Sequence, residues 1–365
     1  MGLGNGAPRR AALATWPTPL EPAPRLARAL GLGAEDLWIK REDLTGLGGG
    51  GNKVRKLEWI CGAALAEGAT TLVTTGAAQS NHARLTAAAG ARLGLEVVLV
   101  LAGSATSSSS GNLVLDGLFG ATVVWAGDVR GTELAAAAEQ VAQRLRQRGA
   151  VPAVIPLGGS SPLGAYGYAE CGRELLGQAP DLDTVVVALG SGGTMAGLVD
   201  TLGPGKVLGV HCGAVDDPAG TVTELVSGLS GTVHAPEALR LRLDQVGAGY
   251  STLTEESMDA LTLAGRTEGI ALDPVYTGRA LAGLRAAVRD GSVAAGRRTV
   301  LLHSGGLPGL FGRGLALEVV LTAERSEAPV LGDNDLLATG KLVLRAAEGL
   351  EGKSTVCRNN QLAAA

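Results

Sequence analysis

The chain is poor in aromatic residues and has no long run of basic ones. Aromatic side chains make up 3% of the 365 residues, and the formal net charge is −4 at pH 7. Nucleic-acid-binding proteins depend on clustered Lys and Arg, and many also use aromatic rings that stack on bases. We therefore expect no nucleic-acid partner, and a core built mainly from Ala, Leu and Val.

Cysteine and long apolar runs are also scarce. The four cysteines, which lie far apart without metal-ligand spacing, are Cys61, Cys171, Cys212 and Cys357. This pattern suits buried or free thiols in a reducing compartment. No apolar run reaches the roughly 18 residues of a membrane-spanning helix, and the N-terminal segment is too short and too interrupted by proline for a signal peptide. We expect a cytoplasmic protein with no membrane partner.

Glycine is abundant, and predicted strands alternate with predicted helices along the chain. The 56 glycines follow no fixed period, which argues against a collagen-like or solenoid repeat. Apolar runs predict strands at residues 37–42, 70–75, 96–101, 121–126, 153–158, 184–190, 206–212 and 298–306. Ala-rich stretches between them predict helices at 53–68, 80–94, 107–119, 133–149, 194–202, 254–268 and 277–289. This alternation predicts an α/β protein whose parallel sheets are covered on both faces.

The length suggests more than one structural unit. At about 150 residues per domain, the chain is long enough for roughly two domains. Residues 326–365 differ in composition from the rest and end in a polar stretch. We expect a tail or appended element there, with a short helix around residues 341–349.

The first motif with chemical content is TGLGGGGNKVRKLE at residues 45–58. Lys53 begins a predicted helix after the glycines, and Lys56 shares its helix face. Glycine lets the backbone approach a flat cofactor closely, and a lysine with a lowered pKa can form an imine with an aldehyde. A flexible basic surface turn explains this stretch equally well. A P-loop is excluded because Val54 stands where that motif needs Ser or Thr.

The second motif is GAAQSNHARL at residues 76–85, between an apolar strand and a helix. Ser80, Asn81 and His82 are expected at the carboxyl ends of the strands, where a helix N-terminus can bind a substrate carboxylate. Simple N-capping of the predicted helix would explain only one of these three residues. A hydrolase nucleophile elbow is unsupported, because the G-x-S-x-G pattern is absent around Ser80.

The third motif is ALGSGGTMAGL at residues 188–198. The backbone N–H groups of Ser191, Gly192, Gly193 and Thr194, together with the Thr194 hydroxyl, can form an anion cradle at a helix start. A dinucleotide fingerprint in a nicotinamide oxidoreductase is an alternative, as is a simple tight turn. The following strand ends in His and Cys rather than an acidic residue, which favours a single phosphate.

The fourth motif is ALDPVYTGRAL at residues 271–281. Tyr276 and Thr277 stand at the start of a predicted helix, a frequent position for site residues. Tyr250 lies on a glycine turn, and only four tyrosines occur in the chain. A threonine cap and a half-buried tyrosine are the plain alternative.

In this order, the four motifs resemble the D-cysteine desulfhydrase and 1-aminocyclopropane-1-carboxylate (ACC) deaminase family, over roughly residues 10–315. That family has the fold of the tryptophan-synthase-β-like, fold-type II enzymes that use pyridoxal 5'-phosphate (PLP). The resemblance implies two open, mostly parallel twisted sheets flanked by helices, with PLP in the interdomain cleft. It implies a large domain from residues 1–55 plus 166–325, a small domain from 56–165, and a homodimer.

The resemblance also implies roles for individual residues. Lys53 would be the Schiff-base lysine and proton carrier, and Lys56 with residues 191–194 would bind the phosphate. Asn81 would bond the ring hydroxyl, and Ser80 and His82 would meet the substrate carboxylate, with Ser80 also placed for proton transfer. The substrate side would be lined by Tyr250 and Tyr276, and the pyridine nitrogen would face Thr277.

Two residues favour the desulfhydrase branch of this family. The ACC deaminases typically have Glu where Thr277 stands, and a neutral hydroxyl cannot hold the ring nitrogen protonated as a carboxylate does. They usually have Gln at the position of His82. The expected reaction is β-elimination on a small amino acid, with D-cysteine giving pyruvate, hydrogen sulfide and ammonia. ACC deamination, cysteate lysis and β-replacement remain alternatives, since Ser251 after Tyr250 breaks the family's usual Gly-Tyr-Gly-Ile/Val-Pro run.

Overall fold

The computed structural model describes residues 10–105, 110–250 and 252–312, together with the backbone of two strands at 317–322 and 341–346. The segment up to Leu315 forms one compact unit, and residues 316–365 form a second. The motifs all lie in the first unit.

The larger sheet of the first unit has six strands. These are β1 (Leu20–Pro22), β2 (Leu37–Lys40), β7 (Leu182–Leu189), β8 (Val207–His211), β9 (Arg240–Arg242) and β10 (Arg298–Leu302). Their spatial order is β1-β2-β10-β7-β8-β9. Only β1 runs antiparallel to its neighbour. The central strand β7 is buried along almost its whole length, as expected for a strand covered on both faces.

The smaller sheet has four strands, all parallel. These are β3 (Thr71–Ala77), β4 (Glu96–Ala102), β5 (Thr122–Trp125) and β6 (Pro152–Ile155). Their order is β5-β4-β3-β6, and β3 pairs with β4 from Thr71 opposite Glu96 to Ala77 opposite Ala102. All four strands lie within the predicted small domain, residues 56–165, although the domain boundaries themselves remain a prediction.

Helices pack on both sheets. They are α1 (Pro24–Leu30), α2 (Lys53–Ala66), α3 (Asn81–Leu93), α4 (Asn112–Leu118), α5 (Gly131–Gln147), α6 (Pro162–Gln178), α7 (Gly193–Leu202), α8 (Pro218–Ser230), α9 (Glu255–Glu268), α10 (Thr277–Arg289) and α11 (Leu307–Leu310). Two apolar clusters cover the two faces of the larger sheet, and two more cover the smaller one. The predicted α/β fold with two mostly parallel sheets is confirmed.

Two of the helices that the sequence pattern missed, α6 and α8, pack beside the central helices of the larger sheet. Glycine interrupts the apolar pattern of α6, but Gly167 of α6 and Gly197 of α7 lie where neighbouring helices touch. A Cβ at Gly167 would lie 2.4 Å from the Arg55 carbonyl oxygen, and one at Gly197 would lie 2.1 Å from the Ala165 carbonyl oxygen. Because glycine has no side chain, α2, α6 and α7 can approach one another closely. This close packing stabilises the helices that carry the motifs.

The predicted helix around residues 341–349 is wrong. Lys341–Ala346 forms a strand, β12, which pairs antiparallel with β11 at Leu317–Thr322, with Leu317 opposite Ala346. The alternation of Leu342 and Leu344 with Val343 and Arg345 fits a strand better than a helix once a partner strand is present. The rest of the predicted tail lies outside the described residues.

Candidate active site

A cleft of about 600 Å³ opens at the carboxyl ends of strands from both sheets. Its walls include Gly76 and Ala77 at the end of β3, Ala102 at the end of β4, and Leu189 at the end of β7. The crevice outside the carboxyl ends of parallel strands is where α/β proteins bind their ligands. Ten of the predicted site residues, all except Gly193 and Thr277, line this cleft.

The glycine-rich loop before Lys53 is held in one conformation. Gly50 has φ 72° and ψ 169°, and a Cβ there would lie 1.9 Å from the Asp43 carbonyl oxygen. The buried guanidinium of Arg84 donates to the carbonyl oxygens of Gly48 and Gly50. A flexible surface turn, the alternative considered for this stretch, does not match so many fixed contacts. Sequence analysis missed Arg84, because its contacts lie 34 and 36 residues away.

The loop delivers two lysine amines to the cleft floor. Lys53 is the first residue of α2, and Asn52 before it donates through Nδ2 to the Thr194 hydroxyl at 3.0 Å. Burial lowers the pKa of Lys53 to about 8. Burial and the neighbouring amine also lower the pKa of Lys56 well below its usual value. Neither amine forms an ion pair with a carboxylate of the described residues, so this pair is suited to an anionic ligand.

Ser160, in the connection between β6 and α6, joins Lys56 at the start of α7. The Lys56 amine donates to the Gly158 carbonyl oxygen at 3.3 Å and to Ser160 Oγ at 3.1 Å. Ser160 Oγ lies 2.7 Å from Ser191 Oγ and accepts from the Gly193 N–H at 3.2 Å. Sequence analysis missed Ser160, although the GGSS run directly after a strand was a possible signal.

The turn into α7 has the shape of a small anion cradle. Gly192 has φ 85°, and a Cβ at Gly193 would lie 2.8 Å from both Lys56 Nζ and Ser160 Oγ. Hydroxyls, amines and a helix N-terminus therefore converge on a space that only glycine leaves open. A phosphate-binding role for residues 191–194 stays a prediction, and the Gly193 N–H already donates to Ser160 Oγ and to the Ser191 carbonyl oxygen.

The second motif supplies one cap and two further cleft residues. Ser80 is the N-cap of α3, and its hydroxyl accepts from the Ala83 N–H at 3.1 Å. Asn81 Oδ1 accepts from Asn112 Nδ2 at 3.0 Å, which fixes the amide beside the cleft. The Ser80 hydroxyl can still donate its own proton into the cleft while it caps the helix.

His82 is buried and neutral, and its hydrogen bonds indicate one tautomer. The Thr74 hydroxyl donates to the Ile155 carbonyl oxygen at 2.9 Å and lies 2.9 Å from His82 Nε2. Because that hydroxyl proton is already used, Nε2 carries the hydrogen and donates to Thr74 Oγ1. Burial and the two lysines keep the His82 pKa well below its usual value. Nδ1 has no partner among the described residues, so His82 presents a lone pair rather than a donor.

The fourth motif brings two tyrosine hydroxyls into contact. Tyr250 and Tyr276 both line the cleft, their hydroxyls touch, and their ring centroids lie 6.0 Å apart in an edge-to-face arrangement. Burial raises the pKa of Tyr250 to about 12 and the pKa of Tyr276 further above its usual value. Both phenols therefore keep their protons near neutral pH.

Thr277, like Gly193, does not line the cleft. It is 2% exposed, and its hydroxyl donates to Asp273 Oδ1 at 2.7 Å while it accepts from the Asp273 N–H at 2.7 Å. The Asp273 carboxylate also accepts from the N–H groups of Val275, Tyr276 and Thr277. The N–H groups at the start of α10 are therefore bonded by the Asp273 carboxylate and not by the Thr277 hydroxyl, so Thr277 is not the cap, and its contact with a pyridine nitrogen stays a prediction.

These features fit PLP. A buried lysine of lowered pKa can react with the aldehyde, and two serines, Lys56 and a helix start can bind the phosphate. The description "Pyridoxal-phosphate dependent enzyme" belongs to a family model that matches residues 11–305. The chain therefore belongs to this family of PLP-dependent enzymes, and its cofactor is pyridoxal phosphate.

Individual relatives place the chain in the ACC deaminase and D-cysteine desulfhydrase group. A D-cysteine desulfhydrase of Klebsiella pneumoniae is 41% identical over 310 residues, with 81% of this chain and 93% of that protein covered. A Pyrococcus abyssi protein, named provisionally as a 1-aminocyclopropane-1-carboxylate deaminase, is 40% identical over 321 residues, with 83% and 93% covered.

Solved structures agree with this placement. The crystal structure of an ACC deaminase homologue superimposes with a TM-score of 0.77 at 37% identity and covers 83% of this chain and 93% of its own. The processed form of threonine deaminase isoform 2 from Solanum lycopersicum has the same fold, with a TM-score of 0.58 at 20% identity over 79% and 83% of the two chains. Within the described residues, no helix combines the length and apolar character that a bilayer crossing demands.

Proposed function

We propose that this chain catalyses β-elimination on a small amino acid, with D-cysteine as its best substrate. The observation that carries the proposal is the presence of a base and a pair of hydroxyl donors in one cleft. The Lys53 amine and the Tyr250–Tyr276 hydroxyl pair line the same cleft. A β-elimination needs a base for the α-proton and gains from donors that stabilise the charge of the leaving group, and these residues can supply both.

Lys53 acts as the base. Bound PLP supplies the electron sink that stabilises negative charge on the α-carbon. With a pKa of about 8, a useful fraction of the amine is neutral near neutral pH. The neutral amine accepts the α-proton of the substrate. Lys56, Ser160 and Ser191 hold the phosphate end and so fix the position of the reacting atoms relative to Lys53.

The tyrosine pair stabilises the departing sulfur. When the carbon–sulfur bond breaks, sulfur leaves with the electron pair as hydrosulfide, which accepts a hydrogen bond from a tyrosine hydroxyl and takes its second proton from solvent after release. The raised pKa of both tyrosines keeps these hydroxyls protonated and therefore able to donate. The remaining three-carbon fragment is hydrolysed after release. The overall reaction converts cysteine and water into pyruvate, hydrogen sulfide and ammonia.

The charge on the cleft wall supports elimination over ring opening of ACC. Asp128 is the single carboxylate among the described residues that line the cleft, and it is exposed at the mouth. Thr277 is a neutral residue, and its hydroxyl is bonded to Asp273 behind the wall. A ring nitrogen without a carboxylate partner makes a weaker electron sink, which suits the prompt loss of a good leaving group.

The test is a substrate screen on purified holoenzyme. D-cysteine, L-cysteine, cysteate, D-serine, β-chloroalanine and ACC are each assayed for keto-acid formation, with Lys53→Ala as the inactive control. We expect the highest kcat/KM with D-cysteine. Turnover of ACC without turnover of D-cysteine would assign the chain to the deaminase branch. Loss of pyruvate in favour of a new amino acid when thiol or amine is added would assign it to β-replacement.

We further propose a cytoplasmic homodimer. Cys61, Cys171 and Cys212 are buried and unbridged, which suits a reducing compartment. Exposed apolar side chains lie on the neighbouring short helices α4 and α11 and directly after α11, namely Val114, Leu118, Leu307 and Phe311. Such patches mark protein–protein interfaces. Light scattering after size exclusion should give twice the chain mass, and Leu118→Glu should lower it, whereas a wild-type monomer would contradict the proposal.

A further inference from the structure

A buried arginine lies directly behind the tyrosine pair. Arg279 is on α10, three residues after Tyr276, and its side chain is 0% exposed. One terminal nitrogen donates to the Cys212 carbonyl oxygen at 2.6 Å. The other donates to the carbonyl oxygens of Gly249 and Thr252 at 2.8 Å and 2.7 Å.

These three carbonyls belong to the cleft wall. Cys212 directly follows β8 and precedes Gly213, while Gly249 and Thr252 lie on either side of Tyr250. Gly213, Gly249 and Thr252 line the cleft, whereas Arg279 does not. The guanidinium therefore supports the wall from behind and contacts neither cofactor space nor substrate space.

Stability alone does not favour an arginine here. No described carboxylate lies within ion-pair distance of Arg279, and its Nε has no described partner. Burying a cation without a counter-charge is costly, and an apolar side chain of similar volume avoids that cost. Only a planar guanidinium presents donors in a fixed fork that can hold both ends of a turn and a strand end at once. The arrangement is therefore suited to fixing geometry.

We propose that Arg279 is a positioning residue that holds Gly249 and Thr252, on either side of Tyr250, so that the Tyr250 hydroxyl meets that of Tyr276. Tyr276 is the N-cap residue of the helix that carries Arg279, so this helix holds one tyrosine at its start and locates the other. This inference rests on the proposed role of the tyrosine pair, and it identifies the residue on which the pair's geometry depends.

The experiment uses holoenzyme labelled with 3-fluorotyrosine, so that one readout is independent of activity. The chain has four tyrosines, Tyr166, Tyr168, Tyr250 and Tyr276, and single Tyr→Phe variants assign their fluorine signals. Arg279→Lys keeps the charge but loses the fork, and Arg279→Gln keeps one amide donor. Arg285→Gln on the same helix is the control, because Arg285 forms a surface ion pair with Asp259.

We expect both Arg279 variants to retain the cofactor absorbance band and to shift the Tyr250 and Tyr276 signals, while the Tyr166 signal stays in place. We expect kcat to fall at least tenfold, with a smaller change in KM, and Arg285→Gln to match wild type. In a Tyr250→Phe background, Arg279→Lys should add less than threefold to the loss.

Other outcomes distinguish a failure of the positioning role from a failure of the proposed function. Unchanged fluorine signals and a kcat within twofold of wild type would overturn the positioning role. Loss of folding or cofactor in both variants would also overturn it, since Arg279 would then serve stability. Shifted signals in a protein whose wild type eliminates none of the tested substrates would sustain the positioning role and contradict the proposed function.

Discussion

Gly50→Ala tests whether the glycine loop positions Lys53. The added Cβ would lie 1.9 Å from the Asp43 carbonyl oxygen, whereas real Cβ atoms stay beyond 3.0 Å, so the loop must move by about 1.1 Å. The Gly51 N–H bond to Thr45 Oγ1 and the Asn52 N–H bond to the Ser304 carbonyl oxygen lie in the path of that movement. A misplacement of about 1 Å at a reacting group can cost on the order of 100-fold in rate.

Gly46→Ala is the matched control in the same loop. Gly46 also has a positive φ, 81°, but a Cβ there has no neighbour within 4 Å. Both substitutions strain the backbone by about 1–3 kcal/mol, so both melting temperatures should fall, and that of Gly50→Ala should fall further because of its clash with the Asp43 carbonyl oxygen. Only Gly50→Ala should also lose about 100-fold in kcat/KM for keto-acid formation and weaken the cofactor band. A kcat/KM within threefold of the Gly46→Ala value would refute this account of the loop.

Three further predictions concern the amines, the phosphate cradle and His82. In apoenzyme, acylation of Lys53 followed by peptide mass spectrometry should rise with pH to a midpoint at about 8; a midpoint above 10 would remove the proposed base. Ser160→Ala should weaken PLP affinity by roughly 5- to 100-fold, about 1–3 kcal/mol, because the Lys56 amine and the Gly193 N–H each lose one of their two acceptors. The control Ser161→Ala should lower only stability, because Ser161 caps α6. Thr74→Val should shift the 15N signals of His82 away from the Nε2–H tautomer, and an unchanged spectrum would contradict the inferred hydrogen bond.

The sheets and most helices were predictable from sequence because several buried strands, such as β4 and β7, are largely apolar runs. The strand at Thr71–Ala77 and the helix at Asn81–Leu93 fall within one or two residues of their predicted bounds. Helix α6 was not predictable in this way, because glycines interrupt its pattern. Their purpose is visible only in three dimensions, since a Cβ at Gly164 would lie 2.1 Å from the Gly159 carbonyl oxygen.

The site was predictable to the extent that its residues sit next to strand ends in sequence. Lys53 and the 191–194 turn were found from local motifs, and they meet because both sheets direct strand ends toward one cleft. Ser160 was missed because it lies 104 residues from Lys56 along the chain. Thr277 was predicted at the ring nitrogen, and that contact stays a prediction, because its hydroxyl donates to Asp273, four residues earlier. The Asp273 carboxylate bonds the N–H groups at the start of α10, a role that the motif alone did not indicate.

Borohydride reduction of the purified holoenzyme shows whether Lys53 carries the cofactor. Reduction fixes the lysine–cofactor bond, so tryptic peptides can be analysed by mass spectrometry. We predict a pyridoxyl-phosphate adduct on the peptide that contains Lys53 and its absence in Lys53→Ala. An adduct on Lys56 instead, or no adduct at all, would contradict the assignment.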